Sequence, residues 1–381
     1  MAAGGDGGDG VGVVGGGGGV SGLLSDYADA AVAVYSRVRS EWSDCSDCGV
    51  ALAARTLRDS ATFGRRDAII VVVLALAWIT ARILATSHVF KPLAAKLRLR
   101  PQDVAKFPEN AWKLVFYLGA WLYSGYLLFM RDYNFFAQPL SAFTGWYVGM
   151  EVPSDIHLAY MLQGSFYLHS VYGTLCLDTW RRDSPVMILH HIITLSLIGF
   201  SYALRFHNIG LLVLFLHDTS DFLLEFTKVN VYLRHRGGGS ERERWVHARI
   251  ADLGCAAFGS SWFVCRLYWF PLKVVHTTAV TVLTVIPNMP FYFLFNSLLI
   301  ILTGMNVYWF SFIVAFVAKV LTGQMKEVDD LREFDVNERV STGPEGEAAT
   351  QGERRSRAKR GKGKGEAQEN GLQSGGGKKQ Q

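Results

Sequence analysis

Apolar stretches of about 20 residues alternate with short polar connections between Asp67 and Lys319. About 20 apolar residues carry a helix across the hydrocarbon core of a bilayer, so each stretch predicts a membrane-spanning helix. An eighth apolar stretch, Val274 to Phe295, is interrupted by Pro287 and Pro290, which favours a lumenal or re-entrant connection. We therefore predict an all-α polytopic membrane protein with disordered tails and about seven transmembrane helices, at Ala68–Ala85, Ala111–Met130, His157–Leu177, Val186–Leu204, Ile209–Phe226, Asp252–Leu272 and Asn296–Ala318.

The composition supports this class once the positions of the charged residues are considered. Half of the 381 residues are apolar and 19% are charged, and the charges are concentrated at the ends and in a few loops. This pattern excludes a soluble globular enzyme, and the number of apolar stretches excludes a single-span anchor. Residues 1–67 predict an N-terminal tail that starts as a disordered glycine-rich segment rather than a signal peptide, and residues 323–381 predict a basic disordered tail.

Basic residues indicate the orientation, because cytoplasmic loops carry an excess of Lys and Arg. The loops after the first, third and fifth predicted spans are rich in basic residues, whereas the other three carry one each: Arg131, Arg205 and Lys273. Together with the basic C-terminal tail, this predicts a lumenal N-terminus and a cytosolic C-terminus. Arg65 and Arg66, beside the first span on the predicted lumenal side, run against the rule.

Two short motifs lie near the ends of the chain. Cys45 and Cys48 form a CxxC, which is compatible with a local disulfide, with half of a metal site, or with no role. Lys378 and Lys379 stand four and three places from the C-terminus. They resemble the di-lysine signal by which the COPI coat returns membrane proteins to the endoplasmic reticulum, although a lysine-rich tail can end this way by chance.

The fourth and fifth predicted spans hold most of the ionisable residues inside the membrane. Ser184 suits an N-cap and Pro185 the first helical position, so His190 and His191 lie roughly 10 Å into the membrane. The short connection to the fifth span predicts antiparallel neighbours. In that span the carboxylates share one face and reach a similar depth, which brings two histidines and two aspartates together: His190, His191, Asp218 and Asp221.

A neutral imidazole near a carboxylate suits work as a general base or a nucleophile. Three other interpretations remain open: a structural hydrogen-bond network, a metal site, and a proton relay in a transporter. Adjacent histidines point about 100° apart on a helix, which disfavours a shared metal ion. We expect no bound metal.

The residues around this set resemble the longevity-assurance motif of ceramide synthases. The resemblance rests on His190 to Thr194, Ser201-Tyr202, Arg205 to Gly210 and His217 to Lys228, with further matches at Lys106 to Glu109, Trp112, Arg181 to Asp183, Ser261-Trp262, Arg266, Phe270-Pro271 and Asn306 to Phe310. It extends over about Lys106 to Asp335. It implies a TLC domain at residues 106–322, preceded by the first transmembrane helix and a basic loop at residues 68–105.

The resemblance implies N-acylation of a sphingoid base by a fatty acyl-CoA at the endoplasmic reticulum membrane, giving ceramide and CoA. His190 or His191 would take the amine proton or be acylated, with Asp218 and Asp221 orienting the imidazole. We expect no bound cofactor, because acyl-CoA is a substrate, and no nucleic-acid partner. CoA is a polyanion, so its candidate ligands are the basic residues of the predicted cytosolic rim: Arg181, Arg182, Lys228 and Arg234.

The sequence departs from the family pattern at two positions. Asp178 stands where relatives carry a glutamate, and Thr303 to Met305 stand where animal members often have a histidine nearby. The homeobox-like insertion of some animal members is also lacking, so the acyl-chain length stays open. Membrane lipid is an expected partner, and a homodimer and an accessory subunit are both compatible with the sequence. The alternative function is a TLC-domain protein that binds, senses or transports lipid without acylating it.

Overall fold

The computed structural model describes residues 20–45 and 50–322, and these ranges are helical without any strand. Two π-helical segments interrupt the α-helices, at Thr86–Phe90 and Trp262–Val275, and two 3-10 turns lie at Pro139–Phe143 and Thr281–Thr284. The α-helices are α1 (Val20–Asp44), α2 (Val50–Ser60), α3 (Arg65–Ala85), α4 (Lys91–Lys96), α5 (Pro101–Met130), α6 (Ser154–Cys176), α7 (Ser184–Ala203), α8 (His207–Arg234), α9 (Glu241–Ser261), α10 (His276–Ala279) and α11 (Tyr292–Leu321).

The described residues fall into two units: residues 20–45, 50–180 and 184–322 belong to the first, and residues 181–183 belong to the second. The helical bundle belongs to the first unit. The glycine-rich start, Cys48 of the CxxC, and the tail with Lys378 and Lys379 lie outside the described residues, so the expectations about them stay predictions.

Four helical segments in the described part of the chain are long and apolar enough to cross a membrane: Arg65–Lys96, Pro101–Met130, Ser184–Ala203 and Tyr292–Val320. They contain the predicted first, second, fourth and seventh spans. The other three predicted spans fall on α6, on α8, and on α9 with the following π segment. Polar groups lower the hydropathy of α8, but His217, Asp218 and Glu225 are buried against protein, the setting in which membrane helices tolerate such residues. The all-α membrane class is confirmed, and the count of seven stays a prediction.

Several helices extend beyond their predicted spans: α5 begins at Pro101 instead of Ala111, and α8 ends at Arg234 instead of Phe226. The first predicted span ends at Ala85, whereas the helix continues through the π segment Thr86–Phe90 to Lys96. Helix α9 begins at Glu241, ahead of the predicted Asp252, because Ser240 caps it. The Ser240 Oγ accepts a hydrogen bond from Glu243 N at 3.2 Å, and Glu243 Oε2 accepts one from Ser240 N at 3.0 Å.

Helix α8 lies at the centre of the bundle and packs against α5, α6, α7, α9 and the π segment Trp262–Val275. Its connection from α7 is only Leu204 to Phe206, with Arg205 in the left-handed region at φ 65°. The Phe206 N donates to Ser201 O at 2.7 Å and closes this turn. The predicted start of α7 at Ser184 and the antiparallel pairing of α7 with α8 are therefore confirmed.

The stretch from Val274 to Phe295 forms no spanning helix, as the two prolines predicted. It consists of the end of the π segment, α10, a 3-10 turn and the start of α11. Hydrogen bonds tie these pieces together, from Thr278 Oγ1 to Asn296 Oδ1 at 3.0 Å and from Tyr292 Oη to Ala279 O at 2.6 Å. Helix α1 packs on this end through the Trp42 and Phe293 rings, 5.3 Å apart.

Gly210 lies where α8 meets the buried Tyr160 of α6. The Tyr160 Oη hydrogen-bonds to Ser201 Oγ at 3.0 Å and donates to His207 O at 3.2 Å. A Cβ at position 210 would overlap the Tyr160 hydroxyl, whereas a Cβ at Gly199 would meet nothing within 4 Å.

We therefore expect Gly210→Ala to lower the free energy of unfolding by about 1–3 kcal/mol, because overpacking forces Tyr160 out of its hydrogen bonds. The thermal unfolding midpoint in detergent measures the effect. Gly199→Ala is the matched control and should keep or raise the midpoint, because alanine favours a helix. Equal midpoints for the two variants would contradict this packing.

Candidate active site

His190 and His191 face different surroundings. The His190 ring lies edge-on to Trp309 of α11, with centroids 5.3 Å apart, and interacts electrostatically with His217 and Arg266. The His191 ring lies 6.1 Å from that of Tyr167. Adjacent side chains on a helix point about 100° apart, which separates these two environments. The pair is therefore not arranged to hold one metal ion, and the described residues contain no group of three or more His, Cys, Asp or Glu that would.

The two aspartates of α8 also have separate partners. Asp218 is fully buried and accepts a hydrogen bond at Oδ2 from Gln163 Nε2 of α6, at 2.5 Å. Asp221 accepts one at Oδ1 from Arg266 Nη2 of the π segment, also at 2.5 Å. The side chain of Arg266 is only 3% exposed, so a buried guanidinium is paired with a carboxylate, as a membrane interior requires.

Arg266 makes two further contacts that hold it in place. Its Nη2 donates to the carbonyl oxygen of His217 at 2.8 Å, and its guanidinium lies over the Trp262 ring at 4.0 Å. Trp262 Nε1 in turn donates to Asn306 O of α11 at 3.1 Å. This chain of contacts links α8 to the π segment and to α11.

His217 belongs to the same network. Its Nδ1 lies 2.9 Å from Val213 O, and its Nε2 lies 3.3 Å from Asn306 Nδ2. Because the carbonyl can only accept, a neutral ring carries its proton on Nδ1 and receives a hydrogen bond from Asn306 on Nε2. His217 therefore presents a fixed ring beside His190.

The predicted set thus shares a region of the bundle, with other residues standing between the histidines and the aspartates. In the described part of the chain the Nδ1 atoms of His190 and His191 have no hydrogen-bond partner. The aspartates bond to Gln163 and Arg266 instead, and Arg266 interacts electrostatically with both His190 and Asp218.

Sequence reasoning omitted four residues from the site: Gln163, His217, Arg266 and Asn306. Each is a polar residue within an apolar predicted span, and that is the signal by which such residues are recognised. His217, Arg266 and Asn306 were noted only as part of the family resemblance, and Gln163 was not noted. Which residues of the other helices they contact could be seen only in the structure.

A cavity begins at this site and runs between the helices. Along α7 it extends from His190 to Ser201, roughly 16 Å at about 1.5 Å per residue. On the predicted topology it runs from the cytosolic third of the membrane towards the lumen. His190 and His217 lie at one end, and apolar side chains form most of the wall: Leu197, Ile198, Phe206, Ile209, Val213, Leu214, Val274, Met289, Phe295, Leu299 and Leu302.

Two of the predicted CoA-binding residues, Lys228 and Arg234, lie at different levels of α8. Lys228 lies in the last turns of α8, with its Nζ 3.7 Å from Glu225 Oε1. Arg234 ends α8, roughly 20 Å from Asp221 along the axis, and lines a basic pocket together with Arg100, His235, Arg236, Arg244 and Trp245. Arg181 and Arg182 belong to the second unit of the chain, so their place at the site stays a prediction.

Asp178 joins three parts of the fold. Its carboxylate pairs with Arg82 of α3 and accepts from Lys113 Nζ of α5 at 2.7 Å. Lys113 also donates to Glu109 at 2.8 Å, and the other Glu109 oxygen accepts from Thr179 N at 3.2 Å. Burial opposes ionisation of Asp178, but Lys113 and Arg82 outweigh it and hold the pKa of this carboxyl below its usual value.

The comparisons with known proteins all point to the same family. The profile of the TLC domain matches residues 106–315. The chain is 56% identical over 296 residues to ceramide synthase 1 from Homo sapiens, which is 78% of this chain and 84% of that protein. Ceramide synthase 1 from Mus musculus is 50% identical with the same coverage. Ceramide synthase LOH2 from Arabidopsis thaliana is 30% identical over 234 residues, 60% of this chain and 74% of that protein.

The Asp178 cluster predicts a stability effect with a defined pH dependence. Asp178→Asn should lower the free energy of unfolding by about 3 kcal/mol, because it removes the carboxylate from the buried Arg82 and the partly buried Lys113. The folded pKa lies below the unfolded value of about 3.9, so the contribution is present above the unfolded value and is lost as the pH falls through the folded pKa.

Thermal midpoints in detergent should therefore show a constant gap between wild type and Asp178→Asn above about pH 5, and a narrowing gap below about pH 4. Asp178→Glu, which keeps the charge, is the control and should retain most of the stability. A gap that does not change with pH would show that the charge of Asp178 does not contribute.

Proposed function

Because the chain belongs to the ceramide synthase family of TLC-domain proteins, we propose that it transfers a fatty acyl group from acyl-CoA to the amine of a sphingoid base. The products are ceramide or dihydroceramide and free CoA, and the pathway is sphingolipid biosynthesis. The observation that supports this most directly is the apolar cavity that starts at His190 and His217. Its apolar wall suits a hydrocarbon chain, whose reactive end would then lie beside an imidazole.

In this proposal the acyl chain occupies the cavity with its thioester at His190. The wall towards the opposite end is built from Phe206, Met289, Phe295 and Leu299. Met289 and Phe295 come from the connection and the helix start that close this end of the bundle. The length of acyl chain that the enzyme accepts therefore depends on how these side chains fill the closed end.

Aminolysis of a thioester needs a neutral amine, a proton acceptor, and a donor to the carbonyl oxygen as charge develops there. His190 faces the cavity and supplies the imidazole. It takes the amine proton, or attacks the thioester and passes the acyl group to the amine, and both routes use the same ring. Tyr167 lines the same end and carries a hydroxyl that can donate to the carbonyl oxygen.

The network around Arg266 has a positioning role in this scheme. The buried Asp218 and the Asp221–Arg266 pair set the electrostatic field at the site without reacting. His191 lies near Tyr167 but does not line the cavity. We therefore assign the reacting imidazole to His190 and a supporting role to His191.

The nucleotide part of acyl-CoA would bind at the predicted cytosolic surface. The basic pocket that includes Arg234 offers several guanidinium groups and the exposed ring of Trp245 to a polyanion. We propose that no further cofactor is needed, since the thioester already activates the acyl group. The endoplasmic reticulum as the location, a lumenal N-terminus, the COPI contact and a homodimer or accessory subunit belong to the same proposal.

His190→Ala should reduce ceramide formation by roughly 10²- to 10⁴-fold, the usual contribution of a general base or its nucleophilic equivalent. His191→Ala should reduce it less, because His191 does not line the cavity. Purified protein in liposomes, given a sphingoid base and a panel of acyl-CoAs, provides the assay, with ceramide measured by mass spectrometry.

The control is His88→Ala, which changes an exposed histidine and should leave the rate unchanged. Full activity of His190→Ala would remove His190 from the mechanism. If the wild type bound acyl chains but formed no ceramide, the protein would be a non-acylating lipid-binding member of the family.

Met289→Trp should shift the preference towards shorter acyl-CoAs, because the larger ring takes up space at the closed end of the cavity. Roughly a 10-fold change in the ratio of long to short products is expected, as for one or two methylenes in an apolar pocket. Val285→Trp is the matched control, since Val285 lies in the same connection but is 41% exposed and does not line the cavity. Equal chain-length profiles for both variants would contradict the assignment.

A further inference from the structure

A second cavity lies between α3, α5, α6 and α8. Val115 and Gly119 of α5 line it and are exposed on the outside of the bundle, so it opens towards the hydrocarbon of the bilayer. Its wall is otherwise mostly apolar, with Trp78, Phe116, Ala120, Tyr123, Leu162 and Leu211. The acyl chain, as proposed above, does not occupy this second cavity.

The inner end of this second cavity is polar. Gln163 lines it and is 3% exposed, with its Nε2 bonded to Asp218, so that its Oε1 is an acceptor. In the described part of the chain neither Gln163 Oε1 nor Asp218 Oδ1 has a hydrogen-bond partner, and the donor Trp112 Nε1, on the same wall, has none either. Buried polar atoms of this kind are costly unless a ligand satisfies them.

The hydrogen-bonding groups of this cavity determine what kind of ligand can bind there. The Gln163 Oε1 acceptor matches the N–H of an amine, and the N–H of Trp112, elsewhere on the same wall, matches a hydroxyl oxygen. A thioester offers no N–H or O–H at its carbonyl and would leave the Gln163 acceptor unsatisfied. The ligand that fits is a long-chain amine that also carries a hydroxyl.

The two cavities are neighbours that share a wall. Leu214 of α8 lines both of them. On α6, Tyr160 and Tyr167 face the first cavity, whereas Ala159 and Leu162 face the second. Two hydrocarbon chains could therefore lie side by side, with their polar ends near His190 and near Gln163.

We propose that the second cavity binds the sphingoid base, which enters from the bilayer between α3, α5 and α6 and places its amine at Gln163. This rests on the proposed function, in which the first cavity holds the acyl chain. A product with two chains joined by one amide requires two neighbouring slots, and the two cavities share a wall at Leu214. Gln163 is then a substrate-binding residue.

Gly119→Leu tests the proposal. A Cβ at this position meets nothing within 4 Å, so the leucine side chain can extend into the cavity without moving the helix. We expect the KM for the sphingoid base to rise roughly 10-fold or more, while the KM for acyl-CoA stays unchanged. Gly199→Leu is the matched control, because Gly199 is also exposed on a membrane helix with nothing within 4 Å and lines neither cavity.

A measurement that needs no turnover complements the kinetics. A sphingoid base with a photoreactive diazirine in its chain should label peptides of α5 and α6 in the wild type. Gly119→Leu should reduce this labelling several-fold. Val115→Trp, at the exposed mouth of the cavity, should do the same and replaces Gly119→Leu if that variant does not fold.

The outcomes separate the two proposals. If the wild type forms ceramide and both cavity variants keep the KM of the base, the second cavity is not the base site and this inference fails. Labelling of α7 and α11 in place of α5 and α6 overturns it as well. Absence of ceramide from the wild type refutes the proposed function, and the labelled peptides still decide where the long-chain amine binds.

Discussion

The ion pair between Arg266 and Asp221 holds the site together. A guanidinium inside a membrane bundle must be paired, and this one is 3% exposed and bonded to a carboxylate at 2.5 Å. Its second bond, to the His217 carbonyl, fixes it to the backbone of α8, and its stacking on Trp262 connects it to α11. The π segment, α8 and α11 are thereby held in one arrangement, on which the position of His217 beside His190 depends.

Two sides of α8 line two different cavities. Towards α7 and α11 it presents the wall of the cavity that starts at His190, and towards α5 and α6 it presents the wall of the cavity that starts at Gln163. Asp218 and Asp221 are three residues apart, yet one bonds to α6 and the other to the π segment. A helix in the middle of a bundle can serve two chemically different ligands because its polar residues contact different neighbours.

Much of this fold follows from patterns in the sequence, while the pairing of side chains does not. The start of α7 is visible in Ser184 and Pro185, and its antiparallel pairing with α8 in the short connection. The depth and helix face of Asp218 and Asp221 follow from helical spacing. Their partners do not, since Gln163 and Arg266 are 55 and 45 residues away in the chain. The π segment was not predicted either, because π-helical hydrogen bonds leave no periodic pattern in a sequence that is apolar throughout. Arg82 ends the first predicted span, but its role as partner of Asp178 depends on a contact across 96 residues.

The shared wall at Leu214 has a consequence for the sidedness of the product. The first cavity extends from His190 in the predicted direction of the lumen. The opening of the second cavity at Val115 and Gly119 lies on the predicted cytosolic side of Trp121, which donates to Thr219 beside Asp218. A two-chain lipid made at His190 would therefore have its head towards the cytosol. That is the orientation of a lipid in the cytosolic leaflet. A product formed in this position can leave sideways through the opening at Val115 and Gly119 and join that leaflet without turning over, so its transfer to the opposite leaflet would be a task for another protein.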